Sequence, residues 1–161
     1  MATKKEKENP NNKQVASNRQ AYHSYEMLEK AEAGLKLLGT EVKSLRDGRC
    51  SLKEGYARFD GQELFLHDVH IPPYDKGNVH NHEPVRPRKL LMHKSELKRF
   101  YGLLTQKGLT IIPLSLYFKR GKAKVEIGIA KTKKLHDRRQ DIKNKITARE
   151  VDRAIKNSKK G

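Results

Sequence analysis

The sequence predicts a mainly β fold: a small antiparallel barrel with a few short helices and a basic C-terminal tail. Three observations predict it. Two stretches, "YARFDGQELFL" (56–66) and "TIIPLSLYFKRGKAKVEIGIAK" (110–131), alternate apolar and polar residues around a glycine-containing turn. One stretch, "HKSELKRFYGLLTQKG" (93–108), carries a clean helical stripe. Residues 131–161 hold 12 Lys/Arg against 4 Asp/Glu and lack a continuous apolar stripe, so they cannot dock like an ordinary terminal helix. At 161 residues the chain builds one modest domain with tails rather than two full cores.

In chain order, residues 1–17 are polar and Asn/Lys-rich and are expected to be a disordered arm. The folded part is expected over 18–130. Residues 24–39, "SYEMLEKAEAGLKLLG", have helical propensity without a 3.6-residue period, so their state stays open. "GTEVKSLRDG" (39–48) reads as a short helix closed by Gly48. In the first hairpin a type I′ turn at Asp60-Gly61 would set Arg58 opposite Glu63 and Tyr56 opposite Phe65. In the helix of 93–108, Leu97, Phe100, Tyr101 and Leu104 share one face and Gly108 is the expected C′ residue. In the second hairpin Gly121 marks the turn, and Pro113, which has no N–H to donate, belongs at an edge or bulge.

The formal net charge is +17, and both tails and the middle are basic, which favours a polyanionic partner such as nucleic acid. Cys50 is alone, so there is neither a disulfide framework nor a Cys-based zinc site. The N-terminus has no apolar core for a signal peptide, and the longest nearly apolar run, 108–118, is too short to span a bilayer. A cytoplasmic setting without membrane contact is expected. His80 and His82 frame Asn81 in "NVHNHEP", but no second ligand motif follows, and a solvated loop is expected instead of a metal site. "RPRKLL" (86–91) has two open readings, a strand end with exposed cations or a phosphate contact through Arg forks. In the tail, Ile142 and Ile146 lie opposite Val151 and Ile155, and Thr147 with Glu150 forms a capping box. Such a segment is expected to stay disordered until a charged partner receives it, and then to be helical.

Four stretches carry a resemblance: "NRQAYHSYEMLEKAEAGLKLLGTEVKSLRDG", "RPRKLL", "LSLYFKRGKAKVEIGIAK" and "KKLHDRRQDIK". Together, over residues 18–156, they resemble the SmpB family of SsrA-binding proteins. The resemblance implies an OB-fold-like barrel that binds the tRNA-like domain of transfer-messenger RNA. It implies an RNA-binding adaptor of trans-translation, not an enzyme, with no cofactor or metal. Its partners would be that RNA and both ribosomal subunits, and it would be monomeric on RNA. By motif match Asn18, Glu32 and Leu91 fall on RNA-binding positions, and Tyr25 and Tyr56 on the family's aromatic positions. Arg19, Arg86, Arg88 and Lys89 complete the expected barrel surface. Lys131, Lys133 and Lys134 match the family's basic run. His136, Asp137, Arg138 and Arg139 match its decoding-centre segment, with Lys143 and Lys145 beyond. Two departures stand out: Thr132 where the family commonly has glycine, and His93 where Asn is a common helix N-cap. A structural ribosomal protein bound to rRNA is the alternative that the basic tails alone allow.

Overall fold

The structure, a computed structural model, describes residues 12–77, 80–106, 108–133 and 135–159. Its elements are β1 (Gln14–Ser17), α1 (Ala21–Ser24), β2 (Tyr25–Leu35), α2 (Gly39–Arg46), β3 (Tyr56–Asp60), β4 (Glu63–His67), β5 (Arg88–Leu91), α3 (Lys94–Leu104), β6 (Leu109–Lys119), β7 (Lys122–Thr132) and α4 (Leu135–Ser158). All strands join one antiparallel sheet in the order β1-β6-β3-β4-β5-β2-β7, and β7 pairs back onto β6. Six strands therefore form a ring, and β1 lies outside it on β6. Ring closure leaves few unpaired strand edges, which is how a small sheet avoids edge-to-edge association.

The open segment resolves as strand. β2 runs beside β7 from Tyr25↔Thr132 to Gly34↔Lys124, so a long ladder outweighs the helical propensity of its Ala, Glu, Lys and Leu. Its alternation leaves Lys30 and Glu32 exposed and turns Ala31 and Ala33 toward the core. The β6–β7 hairpin turns at Arg120-Gly121, whose φ values of 52° and 77° suit a type I′ turn. Pro113 sits at a register shift between Pro113 and Ser115, where a missing N–H is tolerated.

Four expectations need correction. The β3–β4 turn is Gly61-Gln62, with Asp60 paired to Glu63. Positive φ falls at Gly61 alone (61°), so the first turn residue must be the glycine, as in type II′. Arg58 therefore faces Phe65 and Tyr56 faces His67. Second, the arm expected to be disordered holds β1, which pairs Gln14 to Tyr117 and Ser17 to Ser115 and packs Val15 and Ala16 on the core. Third, α3 ends at Leu104 with Thr105 as C-cap, its hydroxyl bonded to the Gly102 carbonyl at 2.7 Å, so Gly108, at φ 82°, lies in the turn before β6 instead of closing the helix. Fourth, β7 reaches Thr132, so the strand crosses the expected boundary at 130, and α4 follows from Leu135 to Ser158.

Inside the ring Leu64, Leu66, Leu90, Ile111, Ile127 and Ile129 form the main core with Leu45 of α2 and Phe100 of α3. A second apolar cluster lies on the outer side of the sheet, where Ala21 of α1 covers Ile112, Leu114 and Ala130. α2 brings a buried charge to the ring. Glu41 is fully buried; its Oε1 accepts the Leu38 N–H (2.9 Å) and Arg86 Nε (3.0 Å), and its Oε2 accepts Arg88 Nε. Arg88 is equally buried and donates its remaining groups to the carbonyls of Val69 (2.7 Å) and Pro84 (3.0 Å).

The same helix ties down the segment 68–87. Ser44 Oγ donates to the Pro72 carbonyl at 2.7 Å, and His82 lies 2.8 Å from both Thr40 Oγ1 and the Ile71 carbonyl. His82 is only 5% exposed, so it is a buried staple, where a solvated loop was expected. Burial likewise pushes the Cys50 thiol up to about 12, leaving it unreactive at neutral pH.

Removing one member of a buried ion group leaves the others uncompensated, so Glu41→Ala should cost about 3–5 kcal/mol in urea denaturation. Burial pushes the Glu41 carboxyl up, but the donors from Arg86, Leu38 and Arg88 outweigh it and hold the group below the usual carboxylate range. Its stabilisation is then fully present above the unfolded value of about 4.3 and lost as pH falls through the lower folded value. Stability of Glu41→Gln, measured across that acid range, should fall less steeply than that of the parent. Apart from half-buried Asp141, the described side chains of α4 are exposed, so a chain ending at Lys133 should keep its unfolding free energy to within about 1 kcal/mol.

Candidate nucleic-acid interface

Three of the expected residues meet at one cleft. Asn18, Tyr25 and Tyr56 line a hollow of about 450 Å³ together with Lys53, Thr110 and Ile112. Asn18 itself is nearly buried. Its Nδ2 donates to the Pro113 carbonyl at 3.1 Å and its backbone N–H to the Leu114 carbonyl at 2.7 Å. It therefore pins the turn that lifts α1 over the sheet and places Tyr25, while Arg19 next to it is exposed. Close packing beneath α1 depends on Gly128, where a Cβ would lie 3.0 Å from Met27 Sδ and 3.1 Å from Leu114 Cδ1.

Glu32 belongs to a second group on the outer face of β2, β7 and β6. The register sets it opposite Glu126, a like-charge pair that is unfavourable alone. Hydroxyls and cations offset it. The Tyr117 hydroxyl donates to Glu32, Lys119 Nζ lies 3.5 Å from the same carboxylate, and Lys30 sits 3.9 Å from Glu126. The Tyr117 hydrogen bond, with help from Lys119 and against partial burial, holds the Glu32 carboxyl below its ordinary value. Burial first, then the Glu32 bond and charge, push the Tyr117 phenol well above the usual tyrosine range. Tyr22 adds its hydroxyl 3.0 Å from Lys30 Nζ, which also lies 5.1 Å from the Tyr22 ring centroid.

"RPRKLL" splits by alternation. Arg88 and Leu90 point into the ring; Lys89 and Leu91 point out. Arg88 spends its guanidinium on Glu41 and two carbonyls and offers nothing to a phosphate, which withdraws it from the interface. Arg86 is largely committed to Glu41 as well. Leu91 is 49% exposed and pairs with Gly34, so it lies two residues along the strand face from Glu32. A Cβ at Gly34 would stand 3.3 Å from that of Leu91.

At the foot of the tail, Lys131 is an exposed strand residue. Lys133 is anchored: its N–H donates to the Ser24 carbonyl (3.0 Å), and its Nζ donates to the Tyr22 carbonyl (3.0 Å) and to Asp141. Arg139, Lys143 and Lys145 are exposed on α4, with Lys145 Nζ 3.3 Å from His23 Nδ1. Lys134 and the side chains of His136, Asp137 and Arg138 lie outside the described residues. Sequence reasoning missed Tyr117, Lys119 and Lys53. The first two were reachable from the β6–β7 turn, whose register sets Tyr117 facing Lys124.

A family model described as SmpB protein matches residues 15–157. The chain belongs to the SmpB family. It is 53% identical over 142 residues to the SsrA-binding protein of Carboxydothermus hydrogenoformans, covering 88% of this chain and 95% of that one. With the SsrA-binding protein of Pelotomaculum thermopropionicum it shares 55% over 144 residues, 89% and 94% of the two chains. Among solved structures it is similar to a chain described as "tmRNA-SmpB: a journey to the center of the bacterial ribosome". The TM-score is 0.64 at 52% identity, over 74% of this chain and 85% of that one. Among the described residues no helix is long and apolar enough to cross a membrane.

If the Tyr117 hydroxyl is what lowers Glu32, then Tyr117→Phe should raise the Glu32 titration midpoint toward the ordinary glutamate value. Carboxylate NMR of the labelled protein checks it, and an unmoved midpoint would assign the shift to Lys119.

Proposed function

We propose that the protein is the RNA-binding adaptor of trans-translation in the cytoplasm. It binds the tRNA-like domain of transfer-messenger RNA and places it on stalled ribosomes, contacting both subunits as a monomer. It is an adaptor and not an enzyme. The observation that carries this reading is the family membership over residues 15–157, with relatives named SsrA-binding proteins. The solved tmRNA-SmpB chain supports the ribosome as the place of action. The alternative of a structural ribosomal protein has no such support.

In this reading the ring is an OB-fold-like barrel of the kind that serves oligonucleotide binding elsewhere. The RNA-facing set is Arg19, Tyr25, Tyr56, Lys89, Leu91 and Lys131, with Asn18 and Glu32 acting through the groups they hold. Residues 131–161 form the arm that probes the empty message channel and decoding centre, led by His136, Asp137, Arg138 and Arg139. An imidazole stacks on a base and Arg holds phosphates, and Lys134, Lys143 and Lys145 add charge along the same path.

Fixed side chains on the ring lose little entropy on contact, whereas the arm must order against its target. Replacing 136–139 by alanine should therefore leave affinity for free transfer-messenger RNA largely intact. Peptide tagging on ribosomes stalled at a message end should fail. Proportional loss of both activities would refute the division of labour, and normal tagging would remove the arm's decoding role. Sequencing the RNA that co-purifies with the protein tests the adaptor reading itself.

A further inference from the structure

The outer face of β3, β4 and β5 carries a patch that the interface above uses only in part. Alternation turns Ala57, Leu64, Leu66 and Leu90 into the ring and leaves Tyr56, Arg58, Phe65, His67 and Lys89 facing out. Register sets these side by side. Phe65 is paired with Arg58 on one neighbour strand and with Lys89 on the other, and Tyr56 is paired with His67. The Tyr56 and His67 rings stack, with centroids 5.3 Å apart and planes 14° from parallel. Phe65 is half-buried, yet among the described residues it belongs to neither apolar cluster.

An aromatic ring that packs no core, set between two cations on an open sheet face, suits one kind of ligand. A base supplies a second π-face, and its flanking phosphates meet the cations. Lys89 is held 2.8 Å from Glu63 in an exposed pair, weak enough for a phosphate to exchange with. Charge complementarity selects a polyanion, and the rings select one with unstacked bases rather than a closed duplex.

We propose that the outer face of β3, β4 and β5 is a stacking platform for an unpaired segment of RNA. Phe65 and the Tyr56–His67 pair each receive a base, and Arg58 and Lys89 hold the phosphates on either side. The proposal rests on the RNA-binding reading and deepens it: unpaired nucleotides are taken here, beside whatever helical RNA the rest of the surface meets.

The test titrates the full chain, Phe65→Leu and Arg58→Gln against two RNAs: a labelled transcript of the tRNA-like domain, and a blunt duplex without unpaired nucleotides. Phe65→Leu should weaken transcript binding by about tenfold or more with an unchanged salt slope. Arg58→Gln should lower that slope by about one. Duplex binding should not change with Phe65→Leu. Urea denaturation shows whether each variant is folded, and if Phe65→Leu is not, His67→Leu replaces it. Wild-type affinity in the folded ring variant would overturn the platform while leaving the RNA reading in place, and so would its losing duplex and transcript binding equally. Failure of the unaltered chain to bind the transcript would overturn the RNA-binding reading, and the platform with it.

Discussion

One buried carboxylate organises most of what lies outside the ring. Glu41 joins α2 to β5 through Arg88 and to the preceding loop through Arg86, and all three act only as a set. Arg88 extends the reach of the set to Val69 and Pro84, so a loop that would otherwise be free is tied at both ends. Burying such charges gives no advantage over a well-packed apolar group of the same volume. Its consequence is geometric. The guanidinium accepts only one arrangement of carboxylate and carbonyls, which fixes the phase of β5. Because β5 lies between β4 and β2, its phase decides which residues of both neighbours share its outer face.

That dependence explains which parts of the fold were legible in the sequence. Both hairpins, α2, α3 and the bulge at Pro113 are written in local chemistry: alternation, positive-φ turns and a missing donor. β2 is not, because its Ala, Glu, Lys and Leu favour helix and only the distant β7 makes it a strand. The β3–β4 turn was displaced by one residue because Asp-Gly and Gly-Gln both suit two-residue loops, and composition cannot choose between them. Arg88 reads as a surface cation in "RPRKLL" because nothing local shows that Leu90 points inward beside it. His82 reads as a loop residue because its partner Thr40 is 42 positions away.

The interface divides in the same manner. Glu32 stood out as an acid in a basic chain, but what it does depends on Tyr117, 85 residues distant. Two glutamates face each other across β2 and β7, and the strain between them is relieved by Tyr117, Lys119 and Lys30. The carboxylates thus hold a tyrosine and two lysines in fixed positions on a surface where cations would otherwise repel and spread. An acid placed in this way raises the order of a basic surface more than it lowers its charge. A partner then meets side chains that have already lost much of their freedom.

The tail obeys the opposite logic. Among its described side chains α4 sets no apolar face against the ring, and it is joined to the fold through β7 and through Lys133 and Lys145 on α1. Thr132 is the last residue of β7 and is paired with Tyr25. A β-branched residue favours strand geometry, whereas glycine would weaken it, so here the ladder stays firm up to the foot of the helix. Beyond Thr132, among the described residues, α4 is held to α1 by Lys133, between the Tyr22 carbonyl and Asp141, and by the Lys145–His23 contact. Asp141 sits at the surface, where salt screens its attraction for Lys133 and a phosphate can compete for the same lysine. The anchor is therefore weakest in the setting where a polyanion is nearest.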